Sequence, residues 1–168
     1  MNDAVLDPVR HNSWATERLI EFCSELPSSQ LETSSEGTYG SIASTLGHIV
    51  GAEGRYRLRL SGTAPEWGDR AEQGPGLGEL GSMARDMSAF WVDFLSRPFD
   101  PDRRIVAKDR EGTTFEVRAG VLVAQTINHG NEHRSQVYTV LTRLGVTPPD
   151  LDGWSWGEAT GGFSELTP

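Results

Sequence analysis

The feature that most constrains this chain is a long amphipathic segment whose apolar seam contains two histidines. The seam residues recur every three or four positions, as on one face of a helix: Leu122, Thr126, His129, His133, Val137, Val140 and Leu144. This pattern predicts a helix over about 119–144, ended by Gly145 and Pro148–Pro149. His129 and His133 are four residues apart, so both imidazoles can reach a single point in space. A buried imidazole needs a hydrogen-bond partner or a metal, and two in succession on one seam favour a metal.

Three further amphipathic segments precede this helix. The first is predicted to start with Asp7 as N-cap and Pro8 as first helical residue, and to run to Leu26. The second covers about 41–60 and the third about 78–97, each with apolar residues at helical spacing. The chain therefore contains four segments long enough to be helices that pack on one another.

The remaining stretches predict loops and one hairpin. Residues 28–40 and 61–78 are rich in glycine, proline and polar side chains, which is typical of connections. The runs 103–108 and 113–117 favour β-structure, and Asp109–Gly112 between them has the composition of a turn. Such a hairpin is marginal alone, so we expect it to pack on the helices.

These elements predict an all-α fold, a four-helix bundle with a short β-hairpin before the last helix. The 168 residues suit a single domain over 1–168, and the sequence contains no internal repeat. The tail carries Trp154 and Trp156, and we expect it to fold back, because two exposed tryptophans disfavour a soluble monomer.

Composition excludes several classes of function. The formal net charge of -9 argues against a nucleic-acid or anionic-membrane surface. We expect a cytoplasmic protein, because no apolar stretch is long enough to span a bilayer and the first residues lack the pattern of a signal peptide. Cys23 is a lone cysteine in an apolar helical pattern, so it is interpreted as a core residue and not as a reactive thiol.

The second predicted helix has an unusual flank. Gly47, Gly51 and Gly54 recur on one side of it, although each glycine costs about 1 kcal/mol in a helix interior. This ridge indicates close approach by a neighbouring helix or a ligand. Glu53 occupies an inward position on the same helix.

Two imidazoles bind a transition metal weakly, so a third protein ligand is expected, and three ligands leave positions open for water or substrate. Periodicity leaves His48, His11 and a carboxylate as candidates for it. A local alternative is the H-x-x-E-H pattern of inverted zinc peptidases, which His129, Glu132 and His133 fit. Glu132 lies about 100° off the histidine seam, which favours a solvated carboxylate.

Two longer motifs carry a family resemblance. Ser44–Glu53 contains the single His48, and Ile127–Gln136 contains H-x3-H-R-x-Q. Together with Arg10–Ala15 and Leu144–Asp152, these residues resemble the DinB/YfiT-like family over nearly the whole chain. The resemblance implies a four-helix bundle that holds a divalent metal, usually zinc or nickel, by three histidines. By motif position those ligands are His48, His129 and His133.

The resemblance also implies a class of reaction. Several relatives are metal-dependent enzymes that use a low-molecular-weight thiol, including mycothiol-dependent maleylpyruvate isomerase and bacillithiol S-transferases. We therefore expect a thiol-dependent transferase or isomerase that acts on a small electrophile, with the thiol as cosubstrate. The alternative is a non-catalytic metal-binding protein of a stress or damage response, with a homodimer as one arrangement and a fourth protein ligand closing the site.

Four polar residues are candidates to support the ligands or to contact substrate: Glu53, Asn128, Arg134 and Gln136. A metal-bound imidazole usually donates its second N–H to a carboxylate or carbonyl. Glu53 is the favoured partner because it points inward. No catalytic residue is assigned from the sequence.

Overall fold

The computed structural model describes residues 3–109 and 111–164. In this part of the chain six α-helices and two strands follow one another in the order α1 (Asp3–Ser24), α2 (Ser28–Leu31), α3 (Ile42–Ser61), α4 (Leu77–Ser96), β1 (Arg104–Lys108), β2 (Thr114–Arg118), α5 (Ala119–Arg143) and α6 (Gly153–Thr160). A single 3-10 turn, Arg70–Glu72, lies between α3 and α4. The prediction of a mostly helical chain with a hairpin before the last long helix is confirmed.

The four long helices pack against one another through their apolar faces. Helix α1 pairs most extensively with α4 and α3 with α5, while α1 also touches α5 and α3 also touches α4. The fully buried side chains come from all four helices and include Leu19, Ile42, Leu46, Ile49, Trp91, Leu95 and Leu141. Removing these side chains from water is the main favourable contribution to folding.

The two helices that carry the histidine motifs have the predicted extents. Helix α3 begins after Ser41, whose hydroxyl accepts a hydrogen bond from the Ser44 N–H, and ends at Gly62 with φ of 77°. Helix α5 is followed by Gly145 with φ of 74°, a left-handed conformation that glycine adopts without steric cost. The seam predicted for α5 faces inward, because all seven of its residues from Leu122 to Leu144 are buried or partly buried.

The predicted start of the first helix is wrong. The chain is already helical at Asp3, and Pro8 lies inside α1. Proline there removes one backbone hydrogen bond close to the helix start. Leu6 and Val9 are buried on either side of it, so packing of this turn on the core offsets the lost bond.

The loops and the tail also differ in detail from expectation. The loop 28–40 contains the short α2, and the loop 61–78 contains the 3-10 turn. The tail folds back as expected, because α6 contacts α1 and the His11 ring lies 2.8 Å from the Leu151 carbonyl oxygen. Trp154 nevertheless stays 69 % exposed, with its ring against Phe163.

The hairpin is antiparallel and packs on α3 and α5, as expected for a pair of strands that is marginal alone. Arg104 pairs with Arg118 at one end and Lys108 with Thr114 at the other. In the predicted turn, residue 110 lies outside the described residues, while the Thr113 N–H donates to Asp109 Oδ1 at 2.7 Å.

No helix in the described ranges combines the length and apolar character that crossing a membrane requires.

Candidate metal centre

Three histidines meet where α3 packs against α5. His48 comes from α3, and His129 and His133 come from successive turns of α5. The Nε2 atoms of His48 and His129 are 3.1 Å apart, and one ring nitrogen from each of the three residues lies within 4.8 Å of the others. Within the described residues these three side chains form the group of candidate metal ligands.

The second ring nitrogen of two of the histidines is already engaged. His48 Nδ1 lies 3.1 Å from Glu72 Oε1, and His133 Nδ1 lies 3.1 Å from Gln136 Oε1. Both oxygens are acceptors, so each Nδ1 carries the proton and donates it. The lone pair is then left on Nε2, the atom that faces the other histidines. This is the arrangement in which metal-bound histidines are usually held.

The spacing of the nitrogens fits a divalent cation. Zinc–nitrogen bonds are about 2.0–2.1 Å, so two imidazole nitrogens on a tetrahedral ion lie about 3.3 Å apart. The 3.1 Å between His48 and His129 is close to this distance, and one ring nitrogen of each of the three residues lies within 4.8 Å of the others. Three ligands of this kind leave coordination positions open.

The electrostatic surroundings favour the neutral form of His48 and of His129. Burial lowers the pKa of His48, and the nearby His133 lowers it further, against the opposing effect of Glu72. Burial, with the charges of His133 and His48, lowers the pKa of His129 to about 4. Near neutral pH both rings are therefore unprotonated, which is the form that binds metal.

Glu72 reaches His48 because the glycine ridge of α3 lets a loop approach closely. A Cβ on Gly47 would lie 2.4 Å from the Ala71 carbonyl oxygen, and one on Gly51 would lie 2.7 Å from Glu72 Cγ. A Cβ on Gly54 would lie 2.7 Å from the Trp67 ring. The predicted close approach is thus made by the segment 65–72 of this chain. Sequence reasoning did not identify Glu72, although the glycine ridge indicated that a neighbouring group lies close to α3 there.

Tyr39 covers the cluster from the loop before α3. Its ring stacks on His48 at a centroid distance of 4.0 Å and meets His133 edge-on at 5.4 Å. Its backbone N–H donates to Gln136 Oε1 at 2.9 Å, the same oxygen that holds His133. The side chain remains 50 % exposed. No periodic signal in the sequence marks this residue.

Of the four polar candidates, the structure brings only Gln136 to the histidines. Arg134 points the other way and is buried against α1, where its NH1 contacts Asn12 Oδ1 at 2.9 Å and Thr16 Oγ1 at 2.8 Å. Asn128 lies on the exposed side of α5, as does Glu132. Among the described residues, then, the predicted supporting set shrinks to Gln136.

The favoured role of Glu53 is wrong, although its inward position is confirmed. Its carboxylate accepts hydrogen bonds from Asn12 Nδ2 at 3.1 Å and from Trp91 Nε1 at 3.0 Å. Burial raises the pKa of this carboxyl group. Contacts with α1 and α4 decide where the side chain points, and spacing along α3 cannot show them. His11 is likewise away from the cluster, beside Leu151 and Trp156.

A groove of about 400 Å³ opens beside the cluster. It shares Tyr39 and Glu72 with the surroundings of His48, and it runs along the start of α3 past Ser44, one turn before His48. Leu31 and Leu77 form apolar parts of its wall. The groove meets the cluster through Tyr39 and Glu72, both of which contact His48, and the histidines themselves do not line it.

The fold and the site together define a mostly helical protein with a three-histidine cluster between two long helices. A model of the DinB family matches residues 1–162 of this chain. The chain therefore belongs to the DinB family. A search of curated proteins found no match.

Proposed function

We propose that this protein is a divalent-metal-dependent enzyme that transfers or isomerises a small electrophile with the help of a low-molecular-weight thiol. The observation that supports it is the convergence of three imidazoles, with the Nδ1 atoms of His48 and His133 bonded to Glu72 and Gln136. Zinc and nickel suit such a nitrogen donor set.

A divalent cation held by His48, His129 and His133 would lower the pKa of a coordinated thiol and so supply a thiolate near neutral pH. The chain's own residues prepare this site. Glu72 and Gln136 fix the rotation of two imidazoles, and the Tyr39 ring limits the access of water from one side. The adjoining groove offers room for the electrophile.

The thiol is proposed to come from a cosubstrate because the chain's own cysteine is unsuitable. Cys23 is 0 % exposed in the core, and burial raises the pKa of its thiol to about 12. A thiol in that state supplies almost no thiolate at neutral pH.

The alternative of a closed, non-catalytic site requires a fourth protein ligand. The candidates for that role within the chain are Glu53, Asp150 and Asp152, and none of them belongs to the ligand group. Glu53 bonds to Asn12 and Trp91, and Asp152 to the N–H groups at the start of α6. Within the described residues the candidate ligand group contains only the three histidines. This supports an open coordination position and hence the enzyme proposal.

Turnover of monochlorobimane with a panel of small thiols, measured on protein loaded with zinc or nickel and on protein stripped of metal, tests the proposal. We expect metal-dependent conjugation with at least one thiol, lost in His133→Ala. His11→Ala is the matched control, because this histidine lies at the α1–α6 contact. Equal rates with and without metal, or full activity in His133→Ala, would contradict the proposal.

We propose that the four long helices form a bundle of the DinB type and that the protein acts in the cytoplasm on a small-molecule substrate, as a monomer or homodimer. Light scattering of the purified protein distinguishes the two assemblies.

A further inference from the structure

One arginine beside the histidine cluster is only partly used by the contacts described so far. Arg55 follows His48 by seven residues on α3, so it lies on the same face of the helix two turns further on. Its NH1 donates to Glu72 Oε1 at 3.0 Å, the same oxygen that lies 3.1 Å from His48 Nδ1. Its guanidinium is thus separated from the His48 ring by a single carboxylate oxygen.

The other two arginines of α3 are directed elsewhere. Arg57 donates to Asp86 Oδ2 and lies over the Phe90 ring. Arg59 donates to the Lys108 carbonyl oxygen in the hairpin and lies over Phe115.

Arg55 keeps donors available. The guanidinium group has five N–H donors, and in the described contacts NH1 is the nitrogen of Arg55 that has a partner. The side chain is 24 % exposed, so part of it is accessible to solvent.

The charges around the cluster favour an anion there. Three neutral imidazoles leave the double charge of a divalent cation uncompensated. Glu72 contributes one negative charge, and Arg55 adds one positive charge. With a divalent cation bound, the cluster would therefore be a local positive site that attracts anions, in a chain with a net charge of -9.

We propose that Arg55 binds an anionic oxygen of the substrate or cosubstrate whose other end occupies the open metal position. The proposal rests on the function given above and specifies it. The ligand class is a small molecule with a carboxylate a few atoms away from its metal-binding atom. The planar guanidinium suits it because two parallel N–H groups match the two oxygens of a carboxylate.

The test uses protein loaded with Co²⁺, in which a bound thiolate produces a charge-transfer absorption band. Two thiols of matched length are titrated, 3-mercaptopropionate with a carboxylate and 3-mercapto-1-propanol without charge. The ratio of their dissociation constants is measured in wild type, Arg55→Gln and Arg59→Gln. Arg59→Gln removes the same charge from the same helix at the hairpin side. Metal affinity is measured in each protein by competition with a chromophoric chelator.

Losing one charge-assisted contact is expected to reduce the preference for 3-mercaptopropionate about tenfold in Arg55→Gln. Arg59→Gln is expected to keep the wild-type ratio, and metal affinity is expected to stay close to wild type in both variants. An unchanged ratio in Arg55→Gln would overturn the proposal. So would an equal fall in both variants, which would indicate only long-range charge. Weaker metal binding with an intact ratio would also overturn it, and would mean that Arg55 serves only to hold Glu72.

A thiol-free arm separates this inference from the proposed function. 3-Hydroxypropionate, which has a hydroxyl in place of the thiol, is titrated against the Co²⁺ protein, and binding is read from the change in the visible d–d spectrum. If neither thiol gives a charge-transfer band but 3-hydroxypropionate binds more weakly to Arg55→Gln than to wild type, the thiol chemistry fails and the anion site stands. If both thiols bind and Arg55→Gln behaves as wild type in every arm, the function stands and the anion site fails.

Discussion

Two polar clusters lie on different faces of α5, and they differ in the partners of their hydrogen bonds. The first is the histidine cluster of His48, His129 and His133. The second, the buried network, takes one or two side chains from each long helix: Asn12, Thr16, Glu53, Trp91 and Arg134. Both clusters join α3 to α5, so the same pair of helices carries the two of them.

In the buried network each charged group has protein partners. The Asn12 side chain bridges the two charges, donating to Glu53 and accepting from Arg134. Burial lowers the pKa of Arg134 to about 10, a measure of how far this charge is removed from water. Such a satisfied network fixes how helices pack, because any other arrangement leaves a buried charge without partners.

In the histidine cluster the rings have few protein partners: the Nε2 atoms of His48 and His129 lie 3.1 Å apart, and the Nδ1 atoms of His48 and His133 bond to Glu72 and Gln136. Three imidazoles brought this close are a donor set that a divalent cation could bind. Polar side chains that meet in a helical fold stabilise the packing when their hydrogen bonds are made to one another. They are suited to ligand binding when some of their donors or acceptors are left for an added group.

The largest expected effect comes from breaking the buried network at its centre. Asn12→Leu leaves Glu53 and Arg134 each short of a buried partner, and we expect a loss of about 3 kcal/mol in the free energy of unfolding. Urea denaturation measures it. Asn128→Leu, at an exposed asparagine of α5, is the matched control and is expected to change stability by less than about 0.5 kcal/mol.

Metal content of the same proteins sharpens the comparison. Asn12→Leu is expected to bind metal as wild type does, provided it is assayed below its unfolding transition. Loss of metal with unchanged stability in this variant would show that the two clusters are one functional unit.

A smaller effect is expected at the carboxylate behind His48. Glu72→Gln keeps an acceptor for the Nδ1 proton but removes the charge that makes the ring a stronger donor to a metal. We expect metal affinity to fall about 10- to 100-fold with little change in stability. Glu79→Gln removes the same charge from an exposed pair with Arg70 and is the control for a long-range field. Equal losses in both variants would contradict a direct role of Glu72.

Some of these contacts could be predicted from the sequence and others could not. Spacing alone places His129 and His133 together, because one helix determines their relation. It cannot choose His48 over His11, since that depends on which helices become neighbours. It places Glu53 inward but not its partners, and it misses Glu72, which lies in a segment with no periodic pattern. The relative positions of residues within one helix could be predicted from the sequence. Contacts between helices and loops could be identified only from the family resemblance or from the coordinates.

A further effect is expected at the glycine between the two clusters. A Cβ on Gly130 would lie 2.4 Å from Asn12 Oδ1 and 2.7 Å from Arg134 NH1. We expect Gly130→Ala to cost about 1–2 kcal/mol, because the shift of these groups outweighs the better helix propensity of alanine. Gly78→Ala in α4 has open space for its Cβ and is expected to be neutral or slightly stabilising. Thermal unfolding of both variants decides the point, and a stabilised Gly130→Ala would contradict the tight packing.

The last effect concerns pH and the metal-free protein. The pKa of His129 is lowered from its ordinary 6.5 to about 4. Between these two pH values the imidazole is therefore protonated in the unfolded chain and neutral in the folded chain. Stability should therefore decline as pH falls through this interval, and less steeply in His129→Gln. Denaturant unfolding across the interval measures both slopes, and identical slopes would mean that His129 does not titrate as its surroundings imply.

The most direct test of the central claim is the metal content of protein purified without added metal, measured by elemental analysis on wild type, His48→Ala and His11→Ala. The claim is that imidazoles from two separate helices hold one cation between them. It predicts about one divalent ion per chain in wild type and in His11→Ala, and almost none in His48→Ala. A His48→Ala protein that keeps its full metal content would contradict it.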